Sequence, residues 1–380
     1  YSGVAGTALA TTYNPNTITA MADSPEKTAL REISYKLQYI QRGYDKPYTE
    51  QGERILAKLK RGINMQGLDA SSWSSWDSHI RTVTSSSSYQ DIKNAGFDHV
   101  RIPVDFRNAA DSNGNLNTSK MTTYVDKAVD AAIGQGLVVF LDFHGWSNIM
   151  LEDFDYFVTV WTNLATYYKD KYPENLIFEL VNEPHTAEES DGDGGDLNLT
   201  NLVTLQTRTV DAIRAIDPDR FICLATSGWN GIWTLKDKDI GSASMFRNTP
   251  LMNYQDTIVA LHCYTPGEFT HQDMSWAGTG GQTYSWSDNQ EAYEAAIKEE
   301  LGYLVEFVEE TGMHAVLNEF GCNTGSSVSD ADEAAYAKTV VSCIKDNDKI
   351  AYTWWEYEQS FGMTSSGSWK THILNEIMAE

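Results

Sequence analysis

From Gly62 to the C-terminus one pattern repeats. A short apolar run is followed by turn residues and then by a stretch with apolar positions three and four apart. The runs are Gly62–Met65, His99–Val104, Leu137–Phe143, Leu176–Val181, Phe221–Ala225, Thr257–His262, Ala315–Asn318 and Ile350–Trp355. Tyr124–Ile133, Leu199–Ile213 and Ala295–Val308 carry the helical spacing between them. Strands that alternate with helices predict parallel pairing, because a parallel connection needs a crossover. Val138-Val-Phe-Leu141 is apolar on both faces, as a strand covered on both sides should be. Eight such units predict an α/β fold, a single (β/α)8 TIM barrel, whose usual length is about 250 residues or more. A doubly wound open sheet would want a Gly-rich phosphate turn after its first strand, and Asn64-Met-Gln-Gly67 is not one.

Residues 1–50 lack this rhythm and form an irregular N-terminal extension. Thr11–Thr19 reads as loop, and Glu26–Gln41 as one helix with Leu30, Ile33, Leu37 and Ile40 at helical spacing. The expected organisation is an extension over 1–50, packed on the outer or bottom face of a catalytic barrel over 51–380.

Composition narrows the partners. The 380 residues are 41% hydrophobic and 12% aromatic, so the chain is globular and not disordered. Twenty-eight basic against 53 acidic residues leave a net charge of −25. That surface repels nucleic acid and anionic lipid. No apolar run of about 18 residues predicts a membrane span. The four cysteines form neither a CxxC pair nor a disulfide framework. Cys263 and Cys322 fall just past adjacent strand ends and could pair if their Cα atoms came within roughly 7 Å. A chain opening on Tyr1 is expected to be a processed, secreted protein, and a monomer.

Catalytic groups of such a barrel sit at the C-terminal ends of its strands. Those positions hold Asn64, Arg101, His144, Asn182, Glu183, Trp229, His262, Tyr264, Glu319 and Trp355. Two glutamates at one mouth suit glycoside hydrolysis, in which one carboxyl donates a proton and a second attacks or activates water. Sugar rings present apolar C–H faces, which tryptophans can floor. Trp73, Trp76, Trp146, Trp229, Trp276, Trp286 and Trp355 all fall at or just past strand ends, and about half should be core or loop anchors.

The set His99-Val-Arg-Ile-Pro103, Leu141-Asp-Phe-His144, Ile177-Phe-Glu-Leu-Val-Asn-Glu-Pro184, Leu261-His-Cys-Tyr264, Asn318-Glu-Phe-Gly321 and Trp355 with Phe361-Gly-Met363 resembles glycoside hydrolase family 5. That family contains endo-β-1,4-glucanases (cellulases) and their relatives. The resemblance runs in order from Gly62 to the C-terminus. It implies a retaining (β/α)8 enzyme acting on a polysaccharide or oligosaccharide, without cofactor or metal. Carried over, Glu183 is the general acid/base and Glu319 the nucleophile. Asn182 bonds the sugar 2-hydroxyl, and the Arg101 cation keeps Glu319 ionised. His144 and His262 line the cleft, Tyr264 donates to Glu319, and Trp355 floors the subsite before the scissile bond. Trp229 and Trp276 are further substrate contacts. Strand alternation puts Glu179 and Glu183 on one side, with Glu179 deeper and structural, and Asp142 supports His144 in the same way.

Two departures blur the substrate. Gly145 follows His144 where many cellulases carry a second histidine, and Asn318 precedes Glu319 where glycine is common. Xyloglucan, mixed-linkage glucan, mannan and β-1,3-glucan therefore stand beside cellulose, and a non-catalytic sugar-binding barrel is the rival from another class. A metal-dependent lyase barrel would need three acidic strand ends, and two are found. The loop from Thr265 to Asn289 is long, and its Phe269, Trp276, Tyr284 and Trp286 either wall the groove or pack the loop down. His79, His99, His185, His271, His314 and His372 are read as structural. The acidic stretch Glu188–Asp196 is read as a solvated loop, lacking the spacing of a calcium loop.

Overall fold

The computed structural model describes residues 21–379 apart from 42, 45, 70–75, 77–79, 147, 190, 191, 193, 239, 240, 247, 248 and 326. The Thr11–Thr19 stretch, Trp73, His79 and part of the acidic loop lie outside the described residues. Eight parallel strands close a barrel in sequence order. They are β1 (Arg61–Asn64), β2 (His99–Val104), β3 (Val138–Phe143), β4 (Leu176–Glu179), β5 (Ile222–Ala225), β6 (Thr257–His262), β7 (His314–Phe320) and β8 (Ile350–Trp354). The principal helices are α1 (Pro25–Gln41), α2 (Glu50–Leu56), α3 (Ser86–Asn94), α4 (Asp126–Gly134), α5 (Phe154–Tyr168), α6 (Leu199–Arg214), α7 (Gly241–Met245), α8 (Trp286–Thr311), α9 (Asp330–Ile344) and α10 (Thr371–Ile377). The expected (β/α)8 architecture is present. No helix of the described residues is long and apolar enough to cross a membrane.

The two-residue period of the strands sorts their side chains into two cores. Val139, Leu141, Phe178 and Leu224 point outward and pack under the helices. Val138, Phe140, Ile177, Cys223, Ile258, Ala260, Val316 and Ala351 form a separate cluster inside the barrel. Tyr48, Ile55 and Leu59, from α2 and its flanks, join that cluster. One layer higher the inward positions turn polar: Asn64, Arg101, Asp142 and Glu179 are all buried. The apolar layer is the plug on which the polar layer stands.

Two strands break the alternation. β4 ends at Glu179, not Val181, and Glu183 has a left-handed backbone with φ 47°. Strand parity therefore does not aim Glu183, contrary to the sequence-based expectation. In β7 the register slips: Leu317 pairs with Leu261, but His262 pairs with Glu319. The extra residue is a bulge, and it lets both Asn318 and Glu319 turn toward the interior.

The extension's helix α1 forms as its spacing predicts and packs against α8. Its inward face, however, is polar. Lys27 and Arg31 are buried, with Arg31 3.9 Å from Glu310 and Lys27 3.2 Å from Asp23. Leu30, Ile33 and Ile40, the residues that marked the helix, lie on its exposed side.

Arg220 fixes how β4 enters the barrel. Its fully buried guanidinium donates to the carbonyls of Tyr168 (2.9 Å), Lys171 (3.0 Å) and Leu176 (3.0 Å) and pairs with Asp217 at 2.8 Å. These carbonyls belong to the end of α5 and the start of β4, where helix termination leaves acceptors without partners. Arg220→Leu is expected to destabilise the fold by about 3–5 kcal/mol, because several buried acceptors and Asp217 lose their donor together. Urea unfolding of the variant beside the parent measures this.

Candidate active site

Arg101, on β2, is the hub of the polar layer and is fully buried. Its guanidinium reaches Glu179 through Nε at 2.9 Å and Nη2 at 2.9 Å, and Asp142 through Nη2 at 2.8 Å. Nη1 lies 2.6 Å from Glu319 and 3.1 Å from Asn64 Oδ1, and Nη2 donates to Asn182 Oδ1 at 2.7 Å. Side chains from or just past β1, β3, β4 and β7 thus meet on one cation. Burial pushes the Glu179 carboxyl up to about 7, against the pull of Arg101. Asn318 donates to Glu179 at 2.7 Å, which accounts for an asparagine before Glu319.

Glu319 and Glu183 face each other at the rim in different surroundings. Glu319 is buried and accepts from Arg101 and from Tyr264 Oη at 2.8 Å. The Glu183 side chain is 32% exposed and opens into the cleft. The dense protein around it disfavours its ionised form, and this burial raises its pKa although His144 and Arg101 pull the other way. An oxygen of Glu183, a ring nitrogen of His262 and an oxygen of Glu319 lie within 4.8 Å of one another. His262 Nδ1 is 2.9 Å from Glu183, and burial lowers the imidazole's pKa to about 4, so the ring is neutral near pH 7.

Glu183 is aimed by its neighbours. Its N–H donates to Asn230 Oδ1 at 2.7 Å, and the Asn230 amide donates to the Ala260 carbonyl at 3.1 Å. His185 Nδ1 lies 2.6 Å from the Glu183 carbonyl and its ring stacks on Trp229 at 4.5 Å. Trp229 therefore stands behind the Glu183 turn, and Asn230, unremarked in the sequence, is the residue that holds the turn.

His144 Nδ1 bonds Asp142 at 2.7 Å, and its ring lies parallel to Trp355 at 5.7 Å. Burial penalises the imidazolium, but the Asp142 hydrogen bond and charge outweigh it and raise the ring to about 9. Opposing this, Asn182 presents its NH2 to His144 Nε2 at 3.4 Å, because its oxygen is committed to Arg101. Gly145 has φ 77°, and a Cβ there would sit 2.4 Å from the Asp69 carbonyl. Backbone geometry thus requires glycine at this position.

His144, Glu183, Tyr264, Glu319 and Trp355 line a cleft of about 650 Å³, whereas Arg101, Asn182, Trp229 and His262, expected as substrate contacts, stand behind its wall. His271, read as structural, lines it, as do Gln66, Asp69 and Glu356. Trp276 is 73% exposed at the rim, edge-on to His271 at 5.4 Å. Trp76, Trp146 and Trp286 are buried packing residues, and Phe269 and Trp286 fasten the long loop against Tyr293 and Tyr336. His99 bonds Thr353 at 2.8 Å within the barrel, and His314 packs edge-on against Tyr48. Cys263 and Cys322 are both free thiols, so no bridge joins them.

Among the described residues two sets could hold a metal: Glu183, His262 and Glu319, and Asp330, Glu333 and His372. A fixed cation stands beside each, Arg101 at Glu319 and Lys370 3.5 Å from Glu333, and opposes a second positive charge.

Residues 53–360 match the family Cellulase (glycosyl hydrolase family 5). Endoglucanase H of Acetivibrio thermocellus is 27% identical over 233 residues, 60% of this chain but only 23% of that protein. Endoglucanase C of the same organism is 25% identical over 265 residues, 65% of this chain and 71% of that one. The crystal structure of an endoglucanase from Thermotoga maritima superimposes with a TM-score of 0.71 at 25% identity, covering 87% of this chain and 100% of that one. A match over most of the chain, with the barrel and its two rim glutamates in place, makes this protein a member of glycosyl hydrolase family 5.

Proposed function

We propose that the protein is a retaining, endo-acting hydrolase of β-1,4-glucan in which Glu319 is the nucleophile and Glu183 the acid/base. The observation that carries this is the separation of the two carboxyls. Their oxygens approach within 4.8 Å, close to the roughly 5–5.5 Å between carboxyls in a double displacement. This close approach supports a double displacement over an inverting pair, whose carboxyls stand roughly 6.5–9.5 Å apart to leave room for a water. In the first step Glu319 attacks the anomeric carbon while Glu183 gives its proton to the departing glycosidic oxygen. In the second, Glu183 takes a proton from water, whose oxygen displaces Glu319 from the same carbon. The configuration is retained.

The surroundings divide the labour. Arg101 and Tyr264 both donate to Glu319, which orients it for attack and stabilises it as the leaving carboxylate. Glu183 hydrogen-bonds a neutral imidazole where Glu319 hydrogen-bonds a guanidinium, and burial favours its protonated form against the pull of His144 and Arg101. Trp355 and His144 stack beside the carboxyls, where an apolar sugar face can rest. Support for β-1,4-glucan comes from relatives named endoglucanases.

Glu319→Ala is expected to lower turnover of carboxymethyl-cellulose by several orders of magnitude, and Glu183→Ala by about 10²–10⁴-fold. Glu183→Ala should recover partly on an aryl glycoside whose leaving group needs no proton. Reducing-sugar release on cellulose derivatives, mixed-linkage glucan, xyloglucan, mannan and β-1,3-glucan tests the substrate. Preference for any polymer without β-1,4-linked glucose overturns that part. An inverted anomer in the first product, read by NMR, overturns the mechanism.

The pH profile follows from Glu183. Its pKa lies above the usual carboxylate range, so kcat/KM should hold past about pH 4.3 and fall as Glu183 loses its proton. In Glu183→Ala this basic limb should vanish for the activated aryl glycoside. A limb unchanged by the substitution would assign it to another group.

Arg101→Met removes the cation that Asp142, Glu179 and Glu319 share. A loss of about 3–5 kcal/mol is expected. Without that cation the ionised forms of these buried carboxyls are disfavoured relative to the unfolded chain. The carboxyls cost nothing extra while protonated, and the penalty grows as pH rises above about 4. Unfolding at pH 4.5 and pH 7 should show the larger deficit at pH 7.

A further inference from the structure

The end of the barrel away from the mouth carries a second cavity, which the double displacement leaves without a task. It holds about 360 Å³ and lies beside the first residues of β5 and β6. That volume falls within the roughly 300–1,000 Å³ usual for small-molecule sites. Asp219 leads the chain into β5, Tyr254 and Asp256 lead it into β6, and Asp211 and Arg214 come from the last turn of α6. Tyr44, just past α1, is a further wall residue and is 37% exposed.

Both signs of charge line this cavity without meeting. Among the described residues the Arg214 guanidinium is held by backbone carbonyls and not by a carboxylate, with Nη1 on Pro218 at 2.6 Å and Nη2 on Gln255 at 2.8 Å. Burial keeps its pKa below the ordinary value, although Asp256, Tyr44 and Asp219 pull it up. Asp256 is engaged by the N–H and the hydroxyl of Thr49, at 2.8 and 2.6 Å, and Asp211 takes the Tyr254 hydroxyl at 2.5 Å. The Asp219 carboxylate and the Tyr44 hydroxyl have no hydrogen-bond partner among the described residues. A guanidinium without a carboxylate partner opposes a cationic ligand, and Asp211 and Asp219 oppose an anionic one. A neutral molecule rich in hydroxyls satisfies both, because each hydroxyl can give to a carboxylate and take from a guanidinium or a phenol. The tyrosine rings add apolar faces of the kind on which sugar C–H groups rest.

We propose that this cavity is a second carbohydrate site, which holds a neutral glucan chain at the barrel end opposite the catalytic cleft. Tyr44 and Tyr254 meet the sugar's apolar face, while Asp211, Asp219 and Arg214 take its hydroxyls. The sugar class follows from the lining, and the choice of glucan rests on the hydrolase reading above. Two sites at opposite ends of one barrel let the protein stay attached to a polymer through one while the other works, a gain that a short soluble substrate does not share.

Affinity electrophoresis in gels containing neutral mixed-linkage glucan tests this with the parent, Tyr44→Ala, Tyr44→Phe and Asp219→Ala. Tyr44→Ala should raise the apparent Kd for the glucan by about 3- to 10-fold, and Asp219→Ala by about 10-fold. Tyr44→Phe keeps the ring and should stay close to the parent. All three should cleave an activated aryl β-cellobioside as the parent does, since the cleft is untouched. In a Trp355→Ala background, which weakens the cleft, the retardation that survives should vanish on adding Tyr44→Ala and Asp219→Ala. Retardation of Tyr44→Ala and Asp219→Ala within about twofold of the parent overturns the assignment. So does a parallel loss on the aryl cellobioside, which marks a change in the fold, or an effect seen only in gels of cationic chitosan or anionic carboxymethyl-cellulose. A parent that is retarded through Tyr44 and Asp219 but never cleaves the cellobioside overturns the hydrolase reading and leaves this site standing.

Discussion

One buried guanidinium organises the mouth of this barrel. Arg101 cannot give up its proton, and an unpaired buried cation would cost several kcal/mol. It is tolerable only because Asp142, Glu179 and Glu319 surround it, with Asn64 and Asn182 taking further N–H groups. The dependence is mutual, since those carboxyls are buried too. Three acids around one cation leave an excess of negative charge, and burial answers it by favouring a proton on Glu179. The cluster need not add net stability, because a well-packed apolar layer could do as well. What it supplies is position. Partners drawn from several strands must all reach one fixed fork, so Glu319 is set by the closure of the barrel.

That hub also separates the two rim glutamates chemically. Glu319 lies within reach of Arg101, whereas Glu183 stands across the cleft beside a neutral imidazole and partly open to solvent. Burial holds the Glu183 carboxyl above its ordinary pKa, while Glu319 is held in direct contact with a cation. His262 bridges them, 2.9 Å from Glu183 and 3.6 Å from Glu319. Since burial keeps its ring neutral, it can hold Glu183 in place without contributing a charge that would erase the difference.

The strands and their order were legible because parallel strands are apolar on both faces, and the inward polar residues stood out against them. Arg101, Glu183 and Glu319 were legible for the same reason. Alternation ceased to inform where the backbone left the regular sheet. Glu183 sits in a left-handed turn past the end of β4, and Glu319 follows a bulge in β7. Neither leaves a period-two signature, so their meeting point depends on contacts such as Asn230 with the Glu183 N–H. Aromatic residues misled in the other direction. A tryptophan near a strand end fits a sugar platform and a loop anchor equally, and Trp146 and Trp286 proved to be anchors. On α1, hydrophobic spacing identified the helix but not its docked face, because the buried side carries Lys27, Arg31 and Tyr35, with Arg31 reaching Glu310 at 3.9 Å.

Left-handed, non-glycine backbone recurs at this rim, in Glu183, Trp229 and Asn230. Such conformations carry a cost of order 1–3 kcal/mol each and persist only where surrounding contacts over-determine them. Here those contacts come from the barrel itself: Asn230 reaches the Ala260 carbonyl on β6, and Trp229 donates to Pro184 at 3.2 Å. The closed sheet thus absorbs the strain of the turn that carries Glu183. Strain held by the scaffold fixes where the Glu183 carboxyl stands at the rim, with Asn230 and the β6 backbone as its anchors.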